Sequence, residues 1–435
     1  MFLDRPASVH HRTRRAFLQT GSLAAAALAH PSIWAADAVD KVSLTEAFDR
    51  EMEAFMAARK IPGGALAVVK DRRLVLARGY GWADREKKLP VKPDSLFRIA
   101  SVSKPVTAVA VMKLVEEGKL SLDTKAFELL TLRPVVESLL DPEPRLRQIT
   151  IRQLLQHTGG WDRDKSFDPM FRSDRIAQAT NSTAPATAEN VIRYMLARPL
   201  DFDPGTRYAY SNFGYCVLGR IIEKVSGQSY EQFVRDKILS PIGLRRMRLG
   251  ATLDGRQAPG EVRYYTSGDG TTQNVFPPGP GQAPEKVPWP YGGFHLEAMD
   301  AHGGWIAAAL DLARFAAALD DPQHSPLLKP ATLALMYAPP PAPVSRKPDG
   351  SLEASHYGCG WSVRPTGANG QANYWHNGSL PGTSTLLVRR SDGLSWAALF
   401  NQRSEDPQLS DSAIDAALHR AAGRVRTWPD GNLFP

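Results

Sequence analysis

The strand-forming segments of this chain lie in two groups, one near each end, with helical patterns between them. Gly64–Val69 and Leu74–Tyr80 are short, apolar and rich in β-branched residues, and the four polar residues 70–73 between them predict a hairpin. Because short connections join the strands within each group, we expect one mostly antiparallel sheet in which the two ends of the chain meet. The second group of strand patterns comprises Tyr357–Val363, Asn373–Gly378, Ser384–Arg389 and Ser395–Phe400.

Helical periodicity dominates the sequence between the two groups. The sequence predicts an α/β fold whose sheet domain comprises residues 43–100 and 340–425 and is flanked by N- and C-terminal helices. A mainly helical domain, residues 101–339, is inserted into it. Its Pro- and Gly-rich segment 255–293 is expected to be a functional gate over a cleft or a disordered insertion. The predicted helices begin at Leu44 and continue with Pro105–Glu117, Ile151–Gln156, Ala188–Ala197, Asn212–Val225, Tyr230–Ile238, Ala308–Leu319 and Ser410–Ala422.

Residues 1–36 have the order of a signal peptide. The string Arg14-Arg15-Ala16-Phe17-Leu18 resembles a twin-arginine signal, and it precedes an apolar stretch, Gly21–Ala29, and small residues. We expect cleavage between Ala29 and Ala38 and export to the periplasm or the medium of a bacterial cell. A short amphipathic or anchoring helix is the alternative, although the apolar stretch is shorter than the ~20 residues of a spanning helix.

Charge and cysteine content exclude several classes. The formal net charge is +8, and Arg5, Arg12, Arg14 and Arg15 against Asp4 place +3 of it in the leader, which leaves 8 − 3 = +5. Because basic residues form no long run, we expect no nucleic-acid partner. The sequence has no metal-ligand spacing such as H-E-x-x-H, so no metal or cofactor is expected. The two cysteines, Cys216 and Cys359, are expected to be buried thiols, with one long-range disulfide as the alternative.

The string Ser101-Val102-Ser103-Lys104 opens the most apolar predicted helix. Residues three apart share a helix face, so the Lys104 amine can reach the Ser101 hydroxyl. Burial beside other cations would lower the pKa of Lys104, which acts as a base only when deprotonated. Considered alone, the string is better explained by Ser101 as a helix cap and Lys104 in solvent.

Tyr210-Ser211-Asn212 follows a Pro-Gly turn and begins a second apolar helix. Tyr210 is a proton shuttle only if nearby cations lower its pKa from ~10, and Lys104 is the expected partner. Without Ser101, the simpler interpretation is that Ser211 or Asn212 caps the helix and Tyr210 packs in the core.

Four His-x-Gly strings occur, starting at His157, His302, His356 and His376, and the choice is made among those at His157, His302 and His376. Of these three, only His376-Asn377-Gly378 lies on a predicted strand, which a Pro381-Gly382 turn follows. We select it because an edge strand offers a backbone N–H to a substrate while its side chains line the cleft.

Together these motifs resemble the penicillin-recognising serine hydrolases, which include class C β-lactamases, D-Ala-D-Ala carboxypeptidases, D-aminopeptidases and related esterases. The resemblance extends over residues 43–422. It implies the β-lactamase/transpeptidase-like fold. The stretches that carry it are Phe97–Pro105, Leu154–Gly160, Asp203–Asn212, Gly303-Gly304 with Asp311–Phe315, and Tyr357–Trp361.

The resemblance also implies roles for individual residues. Ser101 would attack the scissile carbonyl and form an acyl-enzyme while Lys104 takes its proton. Tyr210 would relay a proton to the leaving group and assist water in deacylation, and Asn212 would hold the substrate or the Lys104 amine. The backbone N–H groups of Ser101 and Ser379, the residue after Gly378, would form the oxyanion hole. His376 would complete the electrostatic field opposite Lys104.

The chain departs from the β-lactamase pattern at this strand, since β-lactamases typically have Lys-Thr-Gly where His376-Asn377-Gly378 stands. A neutral histidine and an amide hold a substrate carboxylate less firmly than an ammonium and a hydroxyl. We therefore expect a small ester, amide or D-amino-acid peptide as substrate. A class C-like β-lactamase is the alternative, and an inactive relative or ligand sensor that keeps its acyl group is the alternative of another class. The sequence predicts no membrane span and leaves the oligomeric state open.

Overall fold

A computed structural model describes residues 43–134, 143–268, 270–279, 283, 285–367 and 370–434. The predicted signal peptide, residues 1–36, lies outside these residues. In the part of the chain that is described, no helix combines the length and the apolar character needed to cross a bilayer.

Helices occupy both termini and most of the middle of the described chain. The first, α1, begins where Ser43 accepts a hydrogen bond from the Glu46 N–H (3.2 Å), as its capping sequence predicts. The helices are α1 (Leu44–Arg59), α2 (Ser103–Glu116), α3 (Ala126–Leu129), α4 (Ile151–Leu155), α5 (Ser173–Ala179), α6 (Ala188–Met195), α7 (Asn212–Ser226), α8 (Tyr230–Val234), α9 (Ala309–Ala317), α10 (Pro330–Tyr337) and α11 (Ala413–Arg424).

Strands lie mainly near the two ends. The first hairpin turns at Asp71 and Arg72, which both have positive φ, as a tight two-residue turn requires. The strands are β1 (Gly63–Lys70), β2 (Arg73–Asp84), β3 (Leu89–Pro90), β4 (Phe97–Arg98), β5 (Arg248–Leu249), β6 (Thr271–Gln273), β7 (Lys286–Pro288), β8 (Trp305–Ala307), β9 (His356–Tyr357), β10 (Ser362–Pro365), β11 (Ala372–Leu380), β12 (Thr383–Arg389) and β13 (Leu394–Phe400).

The main sheet confirms that the two ends of the chain meet. Its eight strands run in the order β3-β2-β1-β13-β12-β11-β10-β9, with β1 from the N-terminal group antiparallel to β13 from the C-terminal group. Alternate residues of β1 enter different apolar clusters. Leu66 and Val68 pack with α1 and α11, whereas Ala65 and Ala67 pack with α2 and α9. The sheet is therefore the middle layer of an α/β fold.

Both cysteines, Cys216 and Cys359, are buried free thiols.

Some local structure differs from the sequence-based expectation. The strand predicted at Tyr357–Val363 is interrupted, because Gly360 adopts a φ of +80° and lies against α2, where a Cβ would come within 2.4 Å of the Ala108 Cβ. The sequence analysis did not predict three further elements. The small sheet of β4, β8 and β5 and the hairpin β6–β7 have strands too short to show a pattern, and helix α10 is too uniformly apolar to show a helical period.

The described residues of the Pro- and Gly-rich segment 255–293 support the strand that leads to Ser101. The buried Arg98 guanidinium stacks 4.4 Å from the centre of the Tyr264 ring and donates to the Pro290 carbonyl (2.6 Å). The Tyr264 hydroxyl in turn accepts a hydrogen bond from the Arg98 N–H (2.7 Å). Segment and strand are thus packed together, which neither expectation for this segment anticipated.

Candidate active site

Ser101 lies in a single 3-10 turn, residues 100–102, and helix α2 begins two residues later at Ser103. The sequence predicted that the string Ser101–Lys104 opens the helix, and Ser101 does lie at its N-terminal end. Side chains three apart are eclipsed in a 3-10 turn, which favours the pairing with Lys104. The Lys104 Nζ lies 3.1 Å from the Ser101 Oγ. Ala100 has a φ of +47°, a strained conformation of the kind that collects at functional sites.

Neighbouring strands hold this strained turn in place. The Ile99 N–H donates to the Trp305 carbonyl of β8 (2.9 Å), and the Thr385 hydroxyl of β12 donates to the Ile99 carbonyl (2.9 Å). The Thr383 hydroxyl likewise donates to the Arg98 carbonyl (3.0 Å). Two sheets therefore fix the backbone that presents Ser101.

Lys104 is fully buried, and its amine contacts three oxygen atoms. Nζ donates to the Asn212 Oδ1 (2.7 Å) and to the His302 carbonyl (3.0 Å), and the Ser101 Oγ is the third neighbour. Burial lowers the pKa of Lys104 well below its usual value; the carboxylate of Asp168 opposes this shift and the charge of Arg163 adds to it. A neutral amine has two N–H bonds and one lone pair. Since both carbonyl oxygens can only accept, the lone pair is left for the Ser101 hydroxyl.

Asn212 is held on its other side by a carboxylate. Its Nδ2 donates to the Asp168 Oδ2 (2.6 Å). Because a carboxylate only accepts, this contact identifies which end of the amide carries the nitrogen, and it directs Oδ1 toward Lys104. Asn212 therefore holds the Lys104 amine, one of the two roles that the resemblance implied.

Tyr210 packs beside Lys104 but is not the low-pKa phenol that the sequence led us to expect. The Lys104 Nζ lies 4.8 Å, the Arg163 Cζ 4.7 Å and the His157 ring 4.3 Å from the centre of the Tyr210 ring. Burial raises the pKa of Tyr210, and the Ser101 hydroxyl and the charge of Arg163 only partly offset it. The expectation of a lowered pKa was wrong because burial, which disfavours a phenolate, outweighs these two opposing contributions. Tyr210 is protonated and can donate a proton.

His376 lies on β11, is buried, and is electrically neutral. Its Nδ1 must donate to the Asn377 carbonyl (2.7 Å), since that oxygen can only accept, so Nε2 accepts from the Tyr357 hydroxyl (2.8 Å). Burial lowers the pKa of His376 to about 3. The ring therefore adds no positive charge opposite Lys104, as expected of a neutral histidine at this position.

The residues after His376 alternate between the two faces of β11. Gly378 is buried on the face of His376, whereas Asn377 and Ser379 are exposed. They border a cavity of about 350 Å³ near Ser412 and Asp415, at the start of α11. We expected the Asn377 amide to replace the threonine hydroxyl of the β-lactamases. Instead its side chain is on the opposite face of the sheet from His376, because neighbouring strand residues point in opposite directions.

The backbone of Ser379 is nevertheless at the free edge of β11. Strand β10 pairs only with residues 372–375, so the following residues have no partner on that side. Ser379 is opposite Ser384, one step from the two-residue turn, and the alternation of antiparallel pairs directs its N–H away from β12. The Asn377 carbonyl, two residues earlier, is turned outward in the same way, since it accepts from the His376 ring.

Sequence reasoning missed several groups at this site. Two of these groups belong to the His-x-Gly strings that we set aside. The His302 carbonyl accepts from Lys104, and the His157 Nδ1 accepts from the Ser211 N–H (3.1 Å). Asp168 stands before a proline at the start of a short 3-10 helix, where its Oδ1 accepts from the Met170 N–H (3.1 Å). That local sequence indicates an ordinary cap, so only the folded structure reveals its contact with Asn212.

A serine hydroxyl beside a buried amine whose pKa is lowered, on a fold of this architecture, defines a serine hydrolase. The profile of the Beta-lactamase family matches residues 48–420, so the chain belongs to that family and the resemblance is confirmed. The chain is similar to "Penicillin-binding protein 4*" of Bacillus subtilis, with 27% identity over 371 residues that cover 84% of this chain and 74% of the relative.

An esterase and a solved structure are also similar to this chain. "Esterase EstB" of Burkholderia gladioli is 31% identical over 218 residues, which cover 48% of this chain and 52% of the esterase. The octameric penicillin-binding protein homologue from Pyrococcus abyssi superimposes with a TM-score of 0.61 at 25% identity, covering 86% of this chain and 77% of that one. These likenesses confirm both the predicted fold class and the assignment to the hydrolases.

Proposed function

We propose that this protein is an exported hydrolase that acts through an acyl-enzyme on Ser101 and cleaves small esters or the amides and peptides of D-amino acids. The observation that carries the proposal is the hydrogen bonding of Lys104. In the neutral form of the amine, both N–H bonds go to the Asn212 Oδ1 and the His302 carbonyl, and the lone pair is left for the Ser101 hydroxyl, whose Oγ lies 3.1 Å away. A base in this state is ready to accept the serine proton.

In the first half-reaction the Ser101 Oγ bonds to the substrate carbonyl carbon and its proton passes to Lys104. The backbone N–H groups of Ser101 and Ser379 hold the oxyanion. Tyr210 gives its proton to the leaving oxygen or nitrogen as that bond breaks, and the Lys104 ammonium reprotonates the phenol. A water molecule then attacks the acyl carbon, with its proton passing to Lys104 assisted by Tyr210. The proton returns to the Ser101 Oγ when the ester bond breaks.

The neutral state of His376 favours substrates without a carboxylate at β11. A lysine at this position would offer a charge-assisted hydrogen bond to an anion, whereas the His376 ring already has both nitrogens engaged, with Tyr357 and the Asn377 carbonyl. The similarity to an enzyme named as an esterase agrees with this preference.

A class C-like β-lactamase is the second candidate, and Arg163 is the observation that favours it. This side chain is 42% exposed, its guanidinium stacks 4.7 Å from the centre of the Tyr210 ring, and the distance of 4.0 Å to Asp164 is at the limit of an ion pair. A guanidinium in this position could meet a substrate carboxylate beside the reacting atoms.

The experiment that tests the proposal is intact-mass analysis after exposure to a short-chain aryl ester, a D-Ala-D-Ala peptide, a penicillin and a cephalosporin. We expect a transient adduct on Ser101 and rapid release with the ester or the peptide, and none with Ser101→Ala. Fast release of a hydrolysed penicillin or cephalosporin would instead identify a β-lactamase. A stable adduct with every compound would identify a sensor and overturn the proposal.

Export rests on the signal-peptide order of residues 1–36, and the route rests on the twin-arginine string. A reporter enzyme fused to residues 1–40 should reach the periplasm of a bacterial host, and replacing Arg14 and Arg15 by lysine should keep it in the cytoplasm. A reporter that is exported equally with both sequences would contradict the twin-arginine route.

A further inference from the structure

Asp168 is an acidic group near the reactive amine that none of the recognised motifs contains. Burial raises its pKa, and the hydrogen bonds from the Asn212 amide and the Met170 N–H oppose that rise by favouring the carboxylate. The Asp168 Oδ2 accepts from the Asn212 Nδ2 at 2.6 Å, and the Asn212 Oδ1 accepts from the Lys104 Nζ at 2.7 Å. Hydrogen bonds thus connect a carboxylate, an amide and an amine in a row that ends at the Ser101 hydroxyl. Asp168 is the last residue of the segment 161–168, which begins at the buried Trp161.

The orientation of the Asn212 amide decides whether Lys104 can act as a base. With Oδ1 toward Lys104, the amide consumes an N–H of the amine and leaves the lone pair free. In the reverse orientation, Nδ2 would point an N–H at the amine and compete with Ser101 for that lone pair. Only an obligate acceptor on the far side of Asn212 excludes the reverse orientation, and a carboxylate is such an acceptor.

The charge of Asp168 acts in the same direction. When Lys104 takes the serine proton, a positive charge forms at a buried site. The negative charge of Asp168 raises the pKa of Lys104 and so stabilises this ammonium. Three histidines lie near Lys104, and burial lowers the pKa of each, so none of them supplies a competing charge. They are His157, His302 and His376. The remaining titratable or charged groups that face Lys104 or Asp168 are Ser101, Tyr210, Tyr215 and Arg163.

We propose that Asp168 is a positioning residue of this hydrolase: through Asn212 it directs the lone pair of Lys104 at Ser101 and stabilises the ammonium that forms when the serine is acylated. This inference rests on the proposed function, because it assigns Lys104 as the base. Asp168 would orient the base and stabilise its protonated form without touching the substrate, as the carboxylate of a serine–histidine–aspartate triad does for its histidine.

The test compares the full chain with Asp168→Asn, which retains a cap for the Met170 N–H but has no charge and can present either end of its amide to Asn212. The rate of Ser101 labelling by a fluorophosphonate should fall roughly 10- to 100-fold. The acid limb of its pH profile should shift to lower pH, because the carboxylate that raises the pKa of Lys104 is lost. Asp168→Glu, which keeps the charge, should return the limb toward its original position.

Asp201→Asn is the matched control. Asp201 anchors the same segment by accepting from the Asp162 N–H (2.8 Å) and the Ser166 hydroxyl (3.0 Å). We expect this variant to lower the unfolding temperature without moving the acid limb. Asp168→Ser, another uncharged cap, gives the same comparison should the asparagine variant fail to fold.

Two results would overturn the inference while leaving the proposed function intact. One is a folded Asp168→Asn protein whose labelling rate and acid limb match those of the parent chain. The other is an Asp201→Asn protein that shifts the limb equally, which would make the effect one of segment stability. Continued labelling of Ser101→Ala would instead contradict the proposed function itself.

Discussion

Gly378 lies directly against the backbone that carries the nucleophile: a Cβ on this residue would fall 2.4 Å from the carbonyl oxygen of Ile99. The same Cβ would lie 2.2 Å from the Thr385 Oγ1, which donates to that carbonyl. The glycine of the His-x-Gly string is thus required by the close approach of β11 to the Ser101 turn.

Gly378→Ala should therefore impair both stability and catalysis. The added methyl must push β11 away from Ile99, and overpacking of this kind costs about 1–3 kcal/mol. We expect a lower free energy of unfolding in urea and a lower kcat/KM. Gly423→Ala on α11, where a Cβ would meet nothing within 4 Å, is the control and should be neutral or slightly stabilising. A Gly378→Ala protein with unchanged stability would contradict the close packing.

Ser101→Ala should abolish covalent labelling by a fluorophosphonate and lower kcat by roughly 10³- to 10⁶-fold, since the atom that forms the acyl bond is removed. Its unfolding temperature should stay near that of the parent chain. Ser103→Ala is the matched control, because Ser103 is in the same motif but faces the Trp305 N–H (3.4 Å). Undiminished labelling of Ser101→Ala at another serine would end the case for this mechanism.

Tyr210→Phe should lower kcat roughly 10²- to 10⁴-fold while KM changes little, because the protonated phenol acts on the leaving group in the transition state. Steady-state kinetics on an aryl ester provide the measurement. The control is Tyr208→Phe, whose ring is 42% exposed and which should behave like the parent enzyme. If Tyr210→Phe raises KM and leaves kcat unchanged, Tyr210 only holds the substrate.

His376→Lys should raise the ratio of kcat/KM for carboxylate-bearing over neutral esters by roughly tenfold, the gain of one charge-assisted hydrogen bond. The ratio is the quantity to compare, because a cation so close to Lys104 also alters the absolute rates. His376→Gln, which removes the ring without adding charge, should leave the ratio as it is. No difference between the two variants would refute our account of specificity.

His376 should also make folding stability depend on pH. The unfolded chain takes up this proton near pH 6.5, but the folded protein does so only at a pKa of about 3. Between these values the unfolded state binds more protons, so stability falls as the pH is lowered. Between pH 7.5 and pH 5, this residue contributes a loss of about 2 kcal/mol. Urea unfolding at the two pH values should show a smaller loss for His376→Gln, and an equal loss would disprove the assignment.

Much of the fold follows from local sequence patterns. The first hairpin, α7 and the strands near 373–400 follow from hydrophobic periodicity and turn residues, which act over a few residues. The antiparallel sheet that joins the two ends follows from the short connections within each group. The break at Gly360 was not predictable, because its cause is contact with Ala108, far away in the chain.

From the sequence it follows that a serine and a lysine three residues apart can meet, since that spacing is a property of one helical turn. The resemblance to a known family added Tyr210, Asn212 and His376 as their partners. Only the tertiary structure decided the chemical state of these groups. Burial lowers the pKa values of Lys104 and His376 and raises that of Tyr210, and the orientation of Asn212 results from Asp168. Protonation states depend on which distant chain segments exclude water and supply charge, and no local pattern encodes that.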